Sequence, residues 1–278
     1  MIVIKLHGRF GNQLFQYAFG LAAATRLRTR FHVLPAPDAF LLQKQFVLGA
    51  PFAGSLSPTA AGAMLMGCDQ LKWGNERDPL DIEPEIRPRR IYEGFFQSEL
   101  YFHDALPALR RHFRPALRPR LRAMLVRRRL GLAGGVLYAA VHIRRADYLT
   151  WKSEEFGGTG FALSFAYYRA AAARARAMAA APLRTLLIGD DPDFAAELAP
   201  LFDQPTVITG NSSMTDFALL RDACSLIISN SSFAWWAATL GSLPSHRIIA
   251  PRFWLGQYRR QELPHGIICS GWQLVDES

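Results

Sequence analysis

The second half of this chain alternates short apolar runs with segments of helical period, and that alternation leaves few folds open. Strands are expected at 136–143, 183–188, 206–209, 226–229 and 247–250, with helices at 164–181, 193–202, 214–224 and 232–240 between them. Strands joined through helices of this length pair in parallel through right-handed crossovers. The first half follows the same plan more loosely. Residues 2–6, 31–34 and 91–96 read as strands, 12–28 and 99–113 as helices, and 120–130 as a basic helix. Between 35 and 90, prolines and glycines break the period. A boundary within 115–134 divides the chain into two Rossmann-like halves, 1–130 and 131–278, expected to face each other across a cleft.

Size and composition fit that plan. Half of the 278 residues are hydrophobic and 20% are charged, which supports a large core and excludes a disordered chain. No apolar stretch is long enough to span a bilayer, and residues 1–5 lack the basic and apolar regions of a signal peptide. A cytoplasmic protein is the expectation. Cys68, Cys224 and Cys269 are scattered and give neither a disulfide framework nor a metal spacing. The net charge is +9, carried by 28 Arg against 4 Lys and densest at 110–129. That basic segment reads as a solvated helix face. It also suits an acidic substrate, an anionic membrane surface or nucleic acid.

Four strand-end constellations can carry chemistry. The run at 136–141 ends in His142-Ile143-Arg144-Arg145-Ala146-Asp147. Guanidinium is costly to bury and grips phosphate or carboxylate through paired hydrogen bonds. The carboxyl end of an α/β strand is where such a ligand sits. His142 and Arg144 project to one side of the strand, and Asp147 is a candidate base or the structural partner of an arginine. The turn Gly8-Arg9-Phe10-Gly11-Asn12-Gln13 leads a strand into a helix and aims amides at an anion, or is simply a tight turn capped by Asn12. It is neither the dinucleotide fingerprint nor a P-loop. Gly189-Asp190-Asp191-Pro192-Asp193 offers carboxylates to a ribose or base edge; Pro192 fits the first helical position with Asp191 as cap better than a cation site. Ser229-Asn230-Ser231-Ser232-Phe233-Ala234-Trp235-Trp236 is a helix start able to seat phosphate, with the tryptophans packing between helix and sheet.

Taken in order, these strings resemble the bacterial α-1,2-fucosyltransferase family. The matching stretches are GRFGNQLFQYAFG (8–20), YEGFFQSELYF (92–102), VHIRRADYL (141–149), LIGDDPDF (187–194), ISNSSFAWWAATL (228–240) and IAPRFW (249–254). Two of these strings also resemble those of protein O-fucosyltransferases and α-1,6-fucosyltransferases. Two departures stand out: Ala146 replaces a usual glycine and Gly189 a usual serine.

The resemblance implies a GT-B fold with two Rossmann-like domains, an acceptor-side first domain and a GDP-sugar-binding second. It implies inverting, metal-independent transfer of L-fucose from GDP-β-L-fucose to the 2-hydroxyl of a galactoside, with no cofactor. Arg144 and Asp147 are then the catalytic candidates. Gly11, Asn12, His142, Arg144, Arg145, Asp190, Asp191, Asn230, Ser231, Ser232 and Phe233 are the donor-binding candidates. The base stays open among Asp147, Glu93, Glu99 and His7. Tyr148, Trp151, Trp73 and Phe156 are candidate sugar-stacking groups, with the acceptor pocket expected from 35–90 and 148–163. The acceptor would be a galactose-containing glycan, and a lipid-linked one would suit peripheral membrane contact through 110–129. The alternatives are a transferase for another GDP-sugar and, in a different class, a basic nucleic-acid-binding protein, which would leave the four strand-end motifs unexplained.

Overall fold

A computed structural model describes residues 1–35, 42–46, 48–57 and 65–276, and these form two compact units. The first comprises Met1–Ala116 with Pro264–Ile267. Its parallel sheet has the order β3-β2-β1-β5-β4, built from β1 (Ile2–Leu6), β2 (Phe31–Pro35), β3 (Phe52–Ser55), β4 (Asp69–Trp73) and β5 (Arg90–Gly94). Helix α1 (Phe10–Arg26) connects β1 to β2 and is buried from Gln13 through Ala24. Small residues let it lie close to the sheet. A Cβ on Gly20 would come within 2.7 Å of Ile4 and 2.8 Å of Phe31. Phe19 stacks on Phe96 at 4.0 Å, and Tyr17 meets Phe31 edge-on at 5.2 Å.

The second unit comprises Leu117–Leu263 and Ile268–Ser278. Its six-stranded parallel sheet has the order β10-β9-β6-β11-β12-β13. The strands are β6 (Ala139–Ile143), β9 (Thr185–Gly189), β10 (Pro205–Ile208), β11 (Ser225–Ile227), β12 (Ile248–Pro251) and β13 (Gln273–Val275); β7 (Lys152–Ser153) and β8 (Gly158–Thr159) form a separate antiparallel hairpin. Alternation along β6 sends Val141 and Ile143 to one face. There they pack with Leu187, Ile227 and Ile249 against Tyr167 and Tyr168 of α4 (Phe165–Met178) and Phe194 and Leu198 of α5 (Pro192–Leu198). His142 turns to the other face, under Phe233 of α7 (Ser232–Leu240). Trp235 and Trp236 of that helix are fully buried, and α6 (Ser213–Arg221) lies beside it.

Several expectations are corrected. The strand expected at 136–143 begins at Ala139, because pairing starts opposite Thr185 and Ser225, and Val136 and Leu137 stay exposed. The single helix expected at 99–113 is two 3-10 turns followed by α2 (Leu106–His112), since Phe102 leaves helical backbone at φ −143°. The two units part between Ala116 and Leu117, inside the expected 115–134, so the basic helix, α3 (Leu117–Arg129), groups with the second unit. It packs on α6, with Arg127 3.7 Å from Asp222 and 5.5 Å from the centre of the Tyr138 ring. Late in the chain, Pro264–Ile267 returns to the first unit, where His265 donates its backbone N–H to Asn75 at 2.9 Å. β3, β4, β7, β8 and β13 were not anticipated. Parts of the expected acceptor pocket, 36–41, 47 and 58–64, lie outside the described residues.

Candidate functional site

Three neighbouring strands of the second unit place their carboxyl ends together. β6 delivers Arg144 and Arg145, β9 delivers Asp190 and Asp191, and β11 leads through Ser229 and Asn230 to the first turn of α7. The β6–β9 register sets Ile143 opposite Gly189, so the residues just beyond face each other. Arg144 donates to Asp190 at 2.5 Å and also to Asp147. Arg145 donates its Nε–H to Asp191 at 3.0 Å and its backbone N–H to Asp190 at 2.7 Å. Each guanidinium also lies over a ring, Arg144 over Tyr148 at 5.3 Å and Arg145 over Phe194 at 3.8 Å. Both side chains remain 20% exposed, so the cations are held and still reachable.

Asp191 has a second task. Its Oδ1 accepts from the Phe194 N–H at 3.0 Å and caps α5, with Pro192 in the first turn, as the sequence implied. The register also explains the glycine at 189. A Cβ there would stand 2.2 Å from the Ile143 carbonyl oxygen, so the strands have no space for serine at this point.

His142 lies behind this surface. Its Nδ1 shares a 2.7 Å hydrogen bond with Ser229 Oγ, and the Phe233 ring sits 5.7 Å away. Burial, and then the charge of Arg144, hold its pKa down to about 3, so the ring is neutral near pH 7. Asn230 is fully buried and donates to the Phe161 carbonyl at 2.8 Å, while Tyr148 donates to the Asn230 carbonyl at 3.4 Å. These two side chains therefore meet protein partners. Ser231 is the N-cap of α7, yet makes no side-chain cap. The amides of Ser232 and Phe233 stand in that first turn, where backbone N–H groups favour an anion.

In the first unit, Gly11 and Asn12 open α1. Asn12 Oδ1 accepts from Gln97 at 2.8 Å, and Gln16 accepts the His7 N–H and donates to the Gly94 carbonyl, each at 3.1 Å. The candidate bases here are unequal. Burial works to raise the Glu93 pKa, but Lys5, 3.0 Å away, together with the charges of Lys72 and His7 holds the carboxyl below its ordinary range. Burial lowers the pKa of His7, which packs edge-on to Phe95 at 4.4 Å. Glu99 opens a 3-10 turn capped by Ser98. Of the aromatic candidates, Trp73 is buried and donates to Tyr101 at 2.8 Å, and Phe156 is buried beside Trp151. Asp216, which the sequence reading passed over, is a carboxylate raised in pKa by burial and held at 3.0 Å by Asn211. A lone aspartate inside an amphipathic helix gave no signal.

Known proteins resemble this chain in sequence and in fold. The family model described as "Glycosyl transferase family 11" matches residues 89–272. A galactoside alpha-(1,2)-fucosyltransferase 1 from Oryctolagus cuniculus is 29% identical over 241 residues, 84% of this chain. One from Pan troglodytes is 29% identical over 245 residues. The chain spans 62% and 63% of the length of these two relatives. Among solved structures, NodZ alpha-1,6-fucosyltransferase soaked with GDP-fucose superposes with a TM-score of 0.55 at 17% identity, covering 86% of this chain and 92% of that one. POFUT1 in complex with GDP gives 0.53 at 13% identity, covering 90% and 96%. At such identities the likeness speaks to the fold, an α/β fold of the GT-B class with two parallel-sheet units.

Proposed function

The chain belongs to glycosyl transferase family 11, and from that premise we propose that it moves L-fucose from GDP-β-L-fucose to the 2-hydroxyl of a galactoside with inversion. The observation that carries this reading is the arginine pair at the end of β6, bracketed by Asp190 and Asp191 and set beside the first turn of α7. Rupture of the fucose–phosphate bond leaves its electron pair on the diphosphate. Cations and helix amides placed in advance stabilise that charge most where it develops. Arg144 meets the diphosphate, Arg145 holds Asp191 and a second phosphate oxygen, and Ser231, Ser232 and Phe233 meet phosphate through hydroxyl and amide. Asp190 and the α5 tip read the ribose or base. His142 and Asn230 set the backbone that presents these groups. Gly11 and Asn12 supply the first unit's share of donor binding.

Metal independence is part of the proposal, supported by the occupation of Asp190 and Asp191 with arginines. The acceptor hydroxyl gives its proton to a base. Asp147 is the candidate in this unit, with a carboxylate shared with Arg144; Glu93, Glu99 and His7 are the candidates in the other. The acceptor is a galactose-containing glycan, and the basic segment at 110–129 brings the protein to an anionic surface where lipid-linked acceptors reside. The serine hydroxyl missing at Gly189, beside the proposed ribose and base contacts, is the ground for a second reading, a transferase for another GDP-sugar.

The test is an acceptor panel with GDP-fucose and GDP-mannose, run with and without a chelator. Fucosyl transfer that survives chelation supports the proposal. Transfer from GDP-mannose alone supports the second reading, and loss of turnover on chelation removes the arginine-based account.

A further inference from the structure

Helix α3 (Leu117–Arg129) takes no part in the chemistry above, and its outward face is unusual. Ala123 is buried and Val126 and Arg127 are half-buried, facing α6 and Tyr138. The opposite face carries Leu117, Leu121, Met124 and Leu125, which are 65%, 44%, 58% and 51% exposed. At about 100° per residue these four form one stripe. Arg118, Arg122 and Arg129 flank it on one side and Arg120 on the other, with Arg128 in line with it. No aspartate or glutamate stands between Asp104 and Asp147, while nine arginines lie between 106 and 130.

A second copy of this face would set arginines against arginines, which argues against self-association through it. Nucleic acid would match the arginines and leave the leucines in water. A bilayer with anionic headgroups satisfies both, taking the apolar stripe into the acyl boundary and the guanidinium groups at the phosphate level. We propose that α3 lies in the plane of an anionic bilayer with Leu117, Leu121, Met124 and Leu125 inserted. This rests on the basic-segment reading above, which needs charge alone, and adds an inserted face to it.

The experiment is co-sedimentation of the full chain with vesicles of phosphatidylcholine, alone or mixed with phosphatidylserine, at low and high salt. The parent protein binds the mixed vesicles at least about tenfold more tightly than the neutral ones, and Leu121→Gln with Leu125→Gln lowers that binding about tenfold. Both substitutions sit on an exposed face, and an unchanged far-UV spectrum and unfolding midpoint check the fold. Arg120→Gln with Arg122→Gln tests the charge reading separately. A Leu121→Trp protein shifts its emission to the blue on mixed vesicles. Full-strength binding by the leucine double variant, or no shift of the tryptophan, overturns insertion while leaving the charge reading standing. Equal binding to neutral vesicles overturns the anionic requirement. Duplex DNA that displaces the vesicles and ignores the leucine substitutions overturns the bilayer as partner.

Discussion

Two strand-to-helix turns share a backbone plan and differ in their surroundings. β1 runs into α1 through Gly8 and Arg9, and β11 runs into α7 through Ser229, Asn230 and Ser231. Neither N-cap residue places its side chain over the first turn. In the first unit the polar side chains turn inward. Gln13 reaches back to the Gly8 carbonyl at 3.3 Å, Gln16 joins His7 to Gly94, and Asn12 is tied to Gln97. In the second unit the helix tip stands beside two guanidinium groups and the carboxylates that hold them. A helix N-terminus is a weak anion site by itself. The charges that neighbouring strands deliver make the second turn the stronger candidate for a diphosphate.

The largest expected effect sharpens that contrast. Arg144→Ala lowers kcat about 100- to 1000-fold, while Asn12→Ala lowers it by roughly tenfold or less. Steady-state kinetics with GDP-fucose reads both. Equal losses in the two variants break the contrast.

Next in size is an acid effect, largest beside the second turn. His142 has a folded pKa of about 3 against an ordinary value of 6.5, so between these values the unfolded chain binds more protons than the folded one. Its contribution to stability is present above pH 6.5 and lost as pH falls toward 3, at up to about 1.4 kcal/mol per unit. His7, His32 and His112 are lowered as well and act in the same direction. Urea unfolding at pH 7 and pH 4.5 therefore loses less stability in His142→Asn than in the parent. An unchanged pH difference removes His142 as the source.

Two glycines give the smaller effects. Gly189→Ser forces β6 and β9 apart, because the new Cβ meets the Ile143 carbonyl, and costs about 1–3 kcal/mol. Donor affinity, read as KM for GDP-fucose, falls with it, since Arg144 and Asp190 lie just beyond the widened pair. In the first turn, Gly8 has φ +75° and a Cβ there would stand 2.5 Å from Asn12 Nδ2. Gly8→Ala costs about 1–2 kcal/mol. Chemical unfolding ranks the two, and a neutral Gly189→Ser shows that the strand contact yields.

Legibility followed burial. β9, β11 and β12 are buried runs between polar turns, and their positions were readable to within a few residues. β4, Asp-Gln-Leu-Lys-Trp, is a largely exposed edge strand, and β13 is a three-residue edge. Neither shows the apolar pattern that sequence reading depends on. Val136 and Leu137 misled in the opposite way, as apolar residues left in water. At the site, the sequence located every strand end, because charge following an apolar run marks where a strand meets solvent. It could not pair them. Arg144 with Asp190 and Arg145 with Asp191 follow from β6 lying next to β9, a matter of sheet order. The contact of His142 with Ser229, 87 residues away, likewise follows from sheet order.

Arg144 is already clasped by two acids, Asp147 and Asp190. An anion that takes the N–H groups these carboxylates hold enters by exchange and not by capture. Singly charged metabolites gain little from that trade, whereas a nucleoside diphosphate brings enough negative charge to complete it. On the proposed function, the same clasp returns when the spent nucleotide departs and gives product release a built-in competitor.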